Sequence, residues 1–147
     1  MFKHEILLRT RYGETDRMGY VYYGNYAQYY EVARVELMRT MGISYAELEH
    51  SGIIMPVLEL HIRYTKPAYY DDEIRILCEV RERPLSKMIF EYTLFNSNNE
   101  IINQGSTTLV FVDKGTGRPI RCPKIIADKF SYLPTENTSV KIETNSK

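Results

Sequence analysis

Four stretches from Val57 onwards have the alternation or the composition of β-strands. They are Val57–Tyr64, Glu73–Arg81, Lys87–Phe95 and Ile101–Val112. In the first of them, polar side chains separate Leu58, Leu60, Ile62 and Tyr64, so we expect one buried face and one polar face. The polar run Asn96–Asn99 marks a turn between the last two strands. Short turns between successive strands predict an antiparallel meander.

The apolar spacing changes to a helical one before these strands. Apolar residues recur at steps of three or four positions at Tyr26, Tyr30, Ala33, Leu37 and Met41. This spacing predicts a helix that packs one face against the sheet. Gly24 or Asn25 is its expected N-cap, and Gly42 ends it. Ser44 and Glu47 have the spacing of a capping box for a short second helix.

Together these elements predict an α+β fold, with an antiparallel sheet wrapped around one long central helix. A first strand is expected at Glu5–Arg11, and Pro123 is expected to begin a short C-terminal helix. The chain has 147 residues, which suits one domain. We assign residues 1–133 to that domain and expect residues 134–147 to form a polar, mobile tail.

Charge and hydropathy narrow the classes of partner. The formal net charge is +0, which gives no general electrostatic reason to expect nucleic acid or a membrane surface as a partner. No apolar run approaches the roughly 20 residues that a membrane span needs, and Met1–Thr10 carries charged residues where a signal peptide is apolar. We therefore expect a cytoplasmic protein.

The two cysteines, Cys78 and Cys122, offer no metal site. Neither belongs to a CxxC pair or lies near a histidine at ligand spacing. Cys78 alternates in step with Ile74, Ile76 and Val80, which favours a buried strand position over a nucleophile. We expect two reduced structural thiols, no metal and no other cofactor.

The richest candidate chemistry lies in RYGETDRMGYVYYGNYAQYY, from Arg11 to Tyr30. Asp16 supplies a carboxylate just before the helix start, where unpaired backbone N–H groups can polarise a carbonyl. An aspartate in such a turn commonly just accepts bonds from nearby backbone N–H groups, so a turn role is the alternative. Glu14 is a nearby rival acid, and it faces the same side as Asp16 in an extended segment.

The order of residues in this segment resembles the signature of the 4-hydroxybenzoyl-CoA thioesterase-like acyl-CoA thioesterases. The matching residues are Tyr12, Thr15, Asp16, Gly19, Val21, Asn25, Tyr26, Glu31, Ala33 and Arg34, and the likeness continues through Pro56–Ile74. The resemblance implies the hotdog fold and an acyl-CoA thioesterase whose catalytic carboxylate is Asp16. It also implies a homodimer or homotetramer, because subunits of that family join their sheets and share each active site.

On this resemblance, Asp16 acts as base or nucleophile, and the backbone N–H of Tyr23 or Gly24 polarises the thioester carbonyl. Tyr23 departs from the family pattern, since many similar proteins have histidine there. Asn25 and Tyr26 have two interpretations, as a cap with a core aromatic and as part of the substrate pocket. The tyrosines of this segment could line an acyl pocket or fill half-buried surface.

Residues that follow the predicted strand Glu73–Arg81 are candidates to contact CoA phosphates. We single out the basic residues Arg83 and Lys87, together with Ser86. Two other functions remain open. The substrate could be an acyl carrier protein thioester, or the protein could bind acyl thioesters without catalysis. The presence of Asp16 argues against the non-catalytic alternative.

Overall fold

An antiparallel β-sheet packs against one long helix in the computed structural model, which describes residues 1–131. The strands are β1 (Phe2–Arg9), β2 (Ile53–Ile54), β3 (Val57–Tyr64), β4 (Glu73–Val80), β5 (Lys87–Phe95), β6 (Ile101–Asp113) and β7 (Pro119–Ile120). The helices are α1 (Tyr26–Thr40), α2 (Tyr45–His50) and α3 (Lys124–Ala127), and short 3-10 turns occupy Tyr12–Glu14, Tyr23–Asn25 and Asp128–Phe130. The predicted tail, residues 134–147, lies outside the described residues. No helix within residues 1–131 is long and apolar enough to cross a membrane.

The long strands run in the order β1, β4, β5, β6, β3, and each pairs antiparallel with its neighbours. The predicted meander is thus confirmed for β4, β5 and β6. The first strand begins at Phe2 and ends at Arg9, so its predicted bounds of Glu5–Arg11 are wrong. The ladder loses its regular bonding at Thr10, because the Asp72 N–H donates to Oγ1 of Thr10, at 3.0 Å, and the Thr10 carbonyl accepts from the Asp71 N–H, at 3.2 Å.

The core lies between α1 and the inner face of the sheet. All five residues of the predicted helical stripe are buried, and they pack against the alternating buried side chains of the central strands. Those side chains are Ile74, Ile76, Cys78 and Val80 of β4 and Met88, Phe90, Tyr92 and Leu94 of β5. The capping residue of α2 is also confirmed, because the Ser44 side chain accepts from the Glu47 N–H. The helical periodicity therefore located the core face correctly.

Gly105 of β6 lets α1 lie close to the sheet. A β-carbon at this position would stand 2.3 Å from the carbonyl oxygen of His61 and 2.6 Å from the hydroxyl of Tyr30. The ring of Tyr30 uses this space and stacks on Tyr92, with ring centroids 4.0 Å apart. Its hydroxyl donates to Oδ1 of Asn103, at 2.7 Å, which satisfies the phenol inside the core.

Strand β3 differs from the prediction that one of its faces is buried. Leu58 is 62% exposed, Leu60 43% and Tyr64 47%. The strand pairs only with β6, and no second neighbour within residues 1–131 covers its other edge. Ile62, on the same side, is half-buried against the core, so the apolar side of this strand is only partly covered within one chain.

Both cysteines are reduced, as expected. Cys78 is fully buried on the inner face of β4, and burial raises the pKa of its thiol. Cys122 is half-buried, and burial raises the pKa of its thiol to about 12. Neither thiol has the features of a nucleophile.

Candidate active site

Asp16 opens a tight turn that ends at Gly19. The Gly19 N–H donates to the Asp16 carbonyl at 3.0 Å, and Gly19 has φ +88°, which favours glycine. Oδ1 of Asp16 accepts from the Met18 N–H at 2.8 Å, so the turn role is real. Oδ2 of the same carboxylate is buried and has no hydrogen-bond partner among residues 1–131. One oxygen therefore holds the turn, and the other is unpaired.

Both carboxylate oxygens of Glu14, the rival acid, have partners. Its Oε1 accepts from the Arg11 N–H at 2.7 Å and from the Tyr29 hydroxyl at 3.1 Å. Its Oε2 pairs with the Arg11 guanidinium at 3.4 Å. Both oxygens thus hold the 3-10 turn and its contact with α1. Glu14 and Asp16 do not have equivalent roles, because only Asp16 keeps an unpaired oxygen.

Two bridges hold the Asp16 turn beside the rest of the site. Thr15 pairs with Val21 across the turn, and Tyr20 pairs with Tyr69 in the segment before β4. The Val21 N–H also donates to the Ala68 carbonyl at 2.8 Å. Val21 itself is buried in the core. The turn is therefore anchored at its C-terminal end, just before the helix start.

The helix begins with the 3-10 turn Tyr23–Asn25, which leads directly into α1. Within residues 1–131, the backbone N–H groups of Tyr23 and Gly24 donate to no other backbone carbonyl. Unpaired N–H groups of this kind carry the positive end of the helix dipole. Gly24 has no side chain over its N–H, and an added β-carbon would stand 2.7 Å from the Tyr22 ring. The helix start can therefore accept an oxygen atom that develops negative charge.

Asn25 occupies the N-cap position of α1, one of the two positions expected from sequence, but it lacks a side-chain cap. Its backbone is already helical, with φ −72° and ψ −20°, and its side chain makes no capping bond. Instead, Nδ2 of Asn25 donates to the Glu14 carbonyl at 2.8 Å, and the Tyr22 N–H donates to the same oxygen at 2.9 Å. Asn25 thus ties the helix start to the 3-10 turn that precedes Asp16.

A cavity of about 360 Å³ opens between the Asp16 turn, the helix start and the end of β3. Its walls are Met18, Tyr20, Val21, Tyr23, Tyr26, Tyr64, Thr65, Lys66 and Pro67. Tyr26 forms the buried wall, and burial raises the pKa of its phenol to about 12. Most of the lining is aromatic or aliphatic, which suits the acyl part of a substrate.

The structure brings some of the predicted residues together and separates others. Tyr23 and Tyr26 line this cavity. Asp16, Gly24 and Asn25 lie in the same turn and helix start but are not among the lining residues. Tyr20 belongs to the tyrosine-rich segment that was expected to offer pocket residues, whereas sequence reasoning missed Met18 and Tyr64. Tyr64 ends the alternating apolar row of β3, and that position was the available signal. His4, His50 and His61 lie outside the cavity lining, so no imidazole replaces the histidine absent at position 23.

Arg83, Ser86 and Lys87 lie at the other end of the sheet, in the β4–β5 connection and the start of β5. Lys87 pairs with Val110 of β6, whereas Tyr64 pairs with Asn103 of the same strand. The seven intervening steps along β6 span about 24 Å. One chain therefore does not place these three residues at the cavity. Across residues 1–131, no three His, Cys, Asp or Glu side chains lie together as a metal site.

Known proteins are similar to this chain in sequence and in architecture. Residues 10–130 match the thioesterase-like superfamily. The acyl-CoA thioesterase YbgC of Haemophilus influenzae is 30% identical over 127 residues, which are 86% of this chain and 93% of YbgC. The acyl-CoA thioester hydrolase YbgC of Escherichia coli O157:H7 is 29% identical over 123 residues, or 84% and 92%. Among solved structures, the DHNA-CoA thioesterase from Staphylococcus aureus has a TM-score of 0.80 at 36% identity, over 82% of this chain and 81% of that chain.

These matches confirm the family resemblance and the fold class that the sequence predicted. The matched region begins at the end of β1 and includes the Asp16 turn, α1 and every later strand. An antiparallel sheet that packs around one long helix is the hotdog architecture of the S. aureus enzyme. The expectation of a thioester hydrolase is confirmed at the level of the family. This chain belongs to the thioesterase-like superfamily and has a hotdog fold.

Proposed function

We propose that this protein hydrolyses acyl-CoA thioesters to a free acid and CoA, with Asp16 as base or nucleophile. The observation that carries the proposal is the unpartnered, buried Oδ2 of Asp16. It lies in the same turn as Met18, which lines the cavity, and Tyr23 at the helix start lines that cavity too. A free carboxylate oxygen and unpaired N–H groups beside an apolar cavity are the groups that thioester hydrolysis requires.

In this mechanism the thioester oxygen faces the N–H groups of Tyr23 and Gly24. The carbonyl gains negative charge as it is attacked, and these fixed donors stabilise that charge without reorganisation. Loss of one such donor typically slows an enzyme by about 10²–10³-fold. Tyr23 therefore contributes through its backbone, and its side chain forms a wall of the cavity.

Two routes for Asp16 fit this arrangement. In the first, Oδ2 attacks the carbonyl carbon, the thiolate of CoA leaves, and water then hydrolyses the mixed anhydride. In the second, Oδ2 takes a proton from water, the resulting hydroxide attacks, and CoA leaves as the thiolate. Both routes need an unpaired carboxylate oxygen, and neither uses a metal or an imidazole.

The relatives support CoA as the carrier of the acyl group. The YbgC proteins are named for acyl-CoA thioesters, and the S. aureus protein is named a DHNA-CoA thioesterase. The cavity of about 360 Å³ has four tyrosines in its wall, Tyr20, Tyr23, Tyr26 and Tyr64. This lining is compatible with aliphatic and aromatic acyl groups, since tyrosine faces are apolar.

We further propose that the active unit is a homodimer or homotetramer in which β3 pairs with β3 of a second copy. The strand has one free edge and exposed apolar side chains. Val57 at its start pairs with Leu109, which also pairs with Met88 next to Lys87. Antiparallel pairing about a twofold axis puts the start of one β3 beside the end of the other. The partner subunit's Arg83, Ser86 and Lys87 then approach the cavity and can bind CoA phosphates.

An acyl carrier protein thioester is the second candidate substrate, and it uses the same carboxylate and helix start. A non-catalytic acyl-thioester-binding protein is the third possibility. Oδ2 of Asp16 argues against it, because burying an unpaired carboxylate oxygen is costly and binding alone does not need one. CoA and an acyl carrier protein differ in the part of the substrate that must bind outside the cavity.

Asp16→Asn tests the catalytic assignment. Asparagine can still accept the Met18 N–H bond, so the turn is kept while the carboxylate is removed. We expect kcat for thiol release from acyl-CoAs to fall about 10²–10⁴-fold. The substrate panel should include short, long, branched and aromatic acyl groups, together with one acyl carrier protein thioester.

Asp113→Asn is the matched control. Asp113 also accepts two backbone N–H bonds within a turn, from Gly115 and Thr116, and it lies outside the cavity lining. We expect this variant to keep full activity. Full activity in Asp16→Asn would refute the catalytic role. Turnover of the carrier protein thioester alone would select the second candidate, and tight binding without turnover would select the third.

A further inference from the structure

Tyr64 contacts the helix start across 41 residues of sequence. It is the last residue of β3, and its ring meets the rings of Tyr23 and Tyr26 at centroid distances of 6.3 and 5.7 Å. Both contacts are edge-to-face, at 87° and 62°. The three rings form one corner of the cavity wall. Tyr64 therefore joins the edge strand to the residues that precede α1.

The hydroxyl of Tyr64 donates to the carbonyl oxygen of Tyr23 at 3.0 Å. That carbonyl belongs to the same peptide group as the Gly24 N–H. Because a trans peptide is planar, its C=O and N–H point in opposite directions, and fixing one fixes the other. The Tyr64 bond thus sets the direction of the Gly24 N–H, which is one of the proposed carbonyl donors.

Other bonds hold the residues on either side of this peptide. The Tyr22 N–H and the Asn25 side chain both donate to the Glu14 carbonyl, which belongs to the 3-10 turn Tyr12–Glu14. The Asn25 N–H donates to the Tyr22 carbonyl at 2.9 Å. The Tyr64 hydroxyl is the side-chain donor that reaches the peptide from the sheet side. Partial desolvation and the nearby Tyr23 raise the pKa of Tyr64, so its phenol stays protonated at neutral pH.

We propose that Tyr64 is a positioning residue, whose hydroxyl aligns the Tyr23–Gly24 peptide to bind the thioester oxygen. This inference rests on the proposed thioesterase function. The hydroxyl acts through the backbone and does not need to touch the substrate, whereas the ring forms part of the cavity wall. The hydroxyl and the ring therefore have separable effects on kcat and KM.

Tyr64→Phe removes the hydroxyl and keeps the ring. We expect kcat to fall about three- to tenfold, the equivalent of one neutral hydrogen bond, with KM unchanged. Tyr64→Leu also removes the ring, and there we expect the same loss in kcat together with a raised KM. Tyr70→Phe is the matched control, because Tyr70 is similarly exposed, at 55%, and lies outside the cavity lining. We expect kcat and KM of Tyr70→Phe to equal those of the intact protein.

Three outcomes would overturn the inference. In the first, Tyr64→Phe keeps the kcat of the intact protein. In the second, it raises KM and leaves kcat unchanged, which would make Tyr64 a wall of the cavity only. In the third, its loss of kcat disappears at protein concentrations that restore the mass of the assembly seen by light scattering, which would assign the effect to subunit association.

The proposed function fails in a different way. It fails if the intact protein releases no thiol from any substrate of the panel, and the role of Tyr64 then falls with it. If the intact protein is active and Asp16→Asn is not, the function stands. An unaffected Tyr64→Phe would then remove the positioning role alone.

Discussion

Strands β3 and β4 are both eight residues long and both alternate apolar with polar residues, yet only β4 has a fully covered face. In β3 only Ile62 is half-buried against the core. Ile74, Ile76, Cys78 and Val80 of β4 are fully buried, whereas Leu58, Leu60 and Tyr64 of β3 are more than 40% exposed. Strand β4 lies between β1 and β5 and packs against α1. Strand β3 has one neighbour, β6.

The difference teaches that alternation indicates a strand and its apolar side, but not what covers that side. In β4 the cover is α1, so the apolar row stabilises the fold of one chain. In β3 we propose that the cover is a second copy, so its apolar row stabilises association. Substitutions on the two strands should therefore affect different equilibria.

Ile76→Ala in β4 should have the largest effect on stability. It removes fully buried methyl groups and leaves a cavity under α1. We expect the free energy of unfolding to fall by about 3 kcal/mol. Urea titrations at two protein concentrations tenfold apart should give the same loss, because this face is covered within one chain. A loss below about 1 kcal/mol would mean that the β4 core can close around the deletion.

High pH should lower the free energy of unfolding by a smaller amount, because it ionises the buried phenol of Tyr26. The folded-state pKa of Tyr26 is raised to about 12, above its ordinary value of 10.0. The unfolded chain therefore ionises first, so the stabilisation is complete below pH 10 and is lost as the pH rises from 10 to 12. At pH 11 the loss from this residue is about 1 kcal/mol. Between pH 8 and pH 11 the Tm of Tyr26→Phe should fall less than the Tm of the intact protein. An equal fall in both would contradict the burial of the Tyr26 phenol.

Leu60→Glu in β3 should have the smallest effect on the folding of one chain, under about 0.5 kcal/mol, because Leu60 is already exposed. Its effect should appear in association, where a charge at the centre of the β3 pairing opposes contact between copies. We expect light scattering to find a smaller assembly at concentrations where the intact protein is oligomeric. Leu7→Glu on the opposite edge strand β1 is the control, since Leu7 is 66% exposed, and it should leave the assembly unchanged. An unchanged assembly in Leu60→Glu would exclude pairing through β3.

Much of the fold could be predicted from sequence because the relevant signals are local. The spacing of Tyr26, Tyr30 and Leu37 defines the core face of α1, since a helix repeats every 3.6 residues whatever surrounds it. The bounds of β1 were missed because strand ends depend on the partner strand. The ladder ends at Thr10, whose side-chain hydroxyl accepts from the Asp72 N–H, a long-range bond that no local pattern indicates.

The candidate site was predictable in part for the same reason. Asp16 and Tyr23 lie in one contiguous motif, and Tyr23 lines the cavity together with Met18 of the Asp16 turn. Asn25 was one of the two expected caps and does occupy the N-cap position, but its side chain bonds to the Glu14 carbonyl, 11 residues earlier. Tyr64 was missed because its contact with Tyr23 depends on the sheet register, and that register arises only once β3 pairs with β6.

The two cysteines have a practical consequence for measuring turnover. Because the thiol of Cys78 is buried and the pKa of Cys122 is raised to about 12, neither forms a thiolate at neutral pH. Aromatic disulfide dyes change colour when they react with thiolates, and free CoA is such a reactant. The folded protein should leave the dye unchanged even at high micromolar concentration. Continuous recording of CoA release can therefore reach variants as slow as Asp16→Asn without a protein blank obscuring the signal.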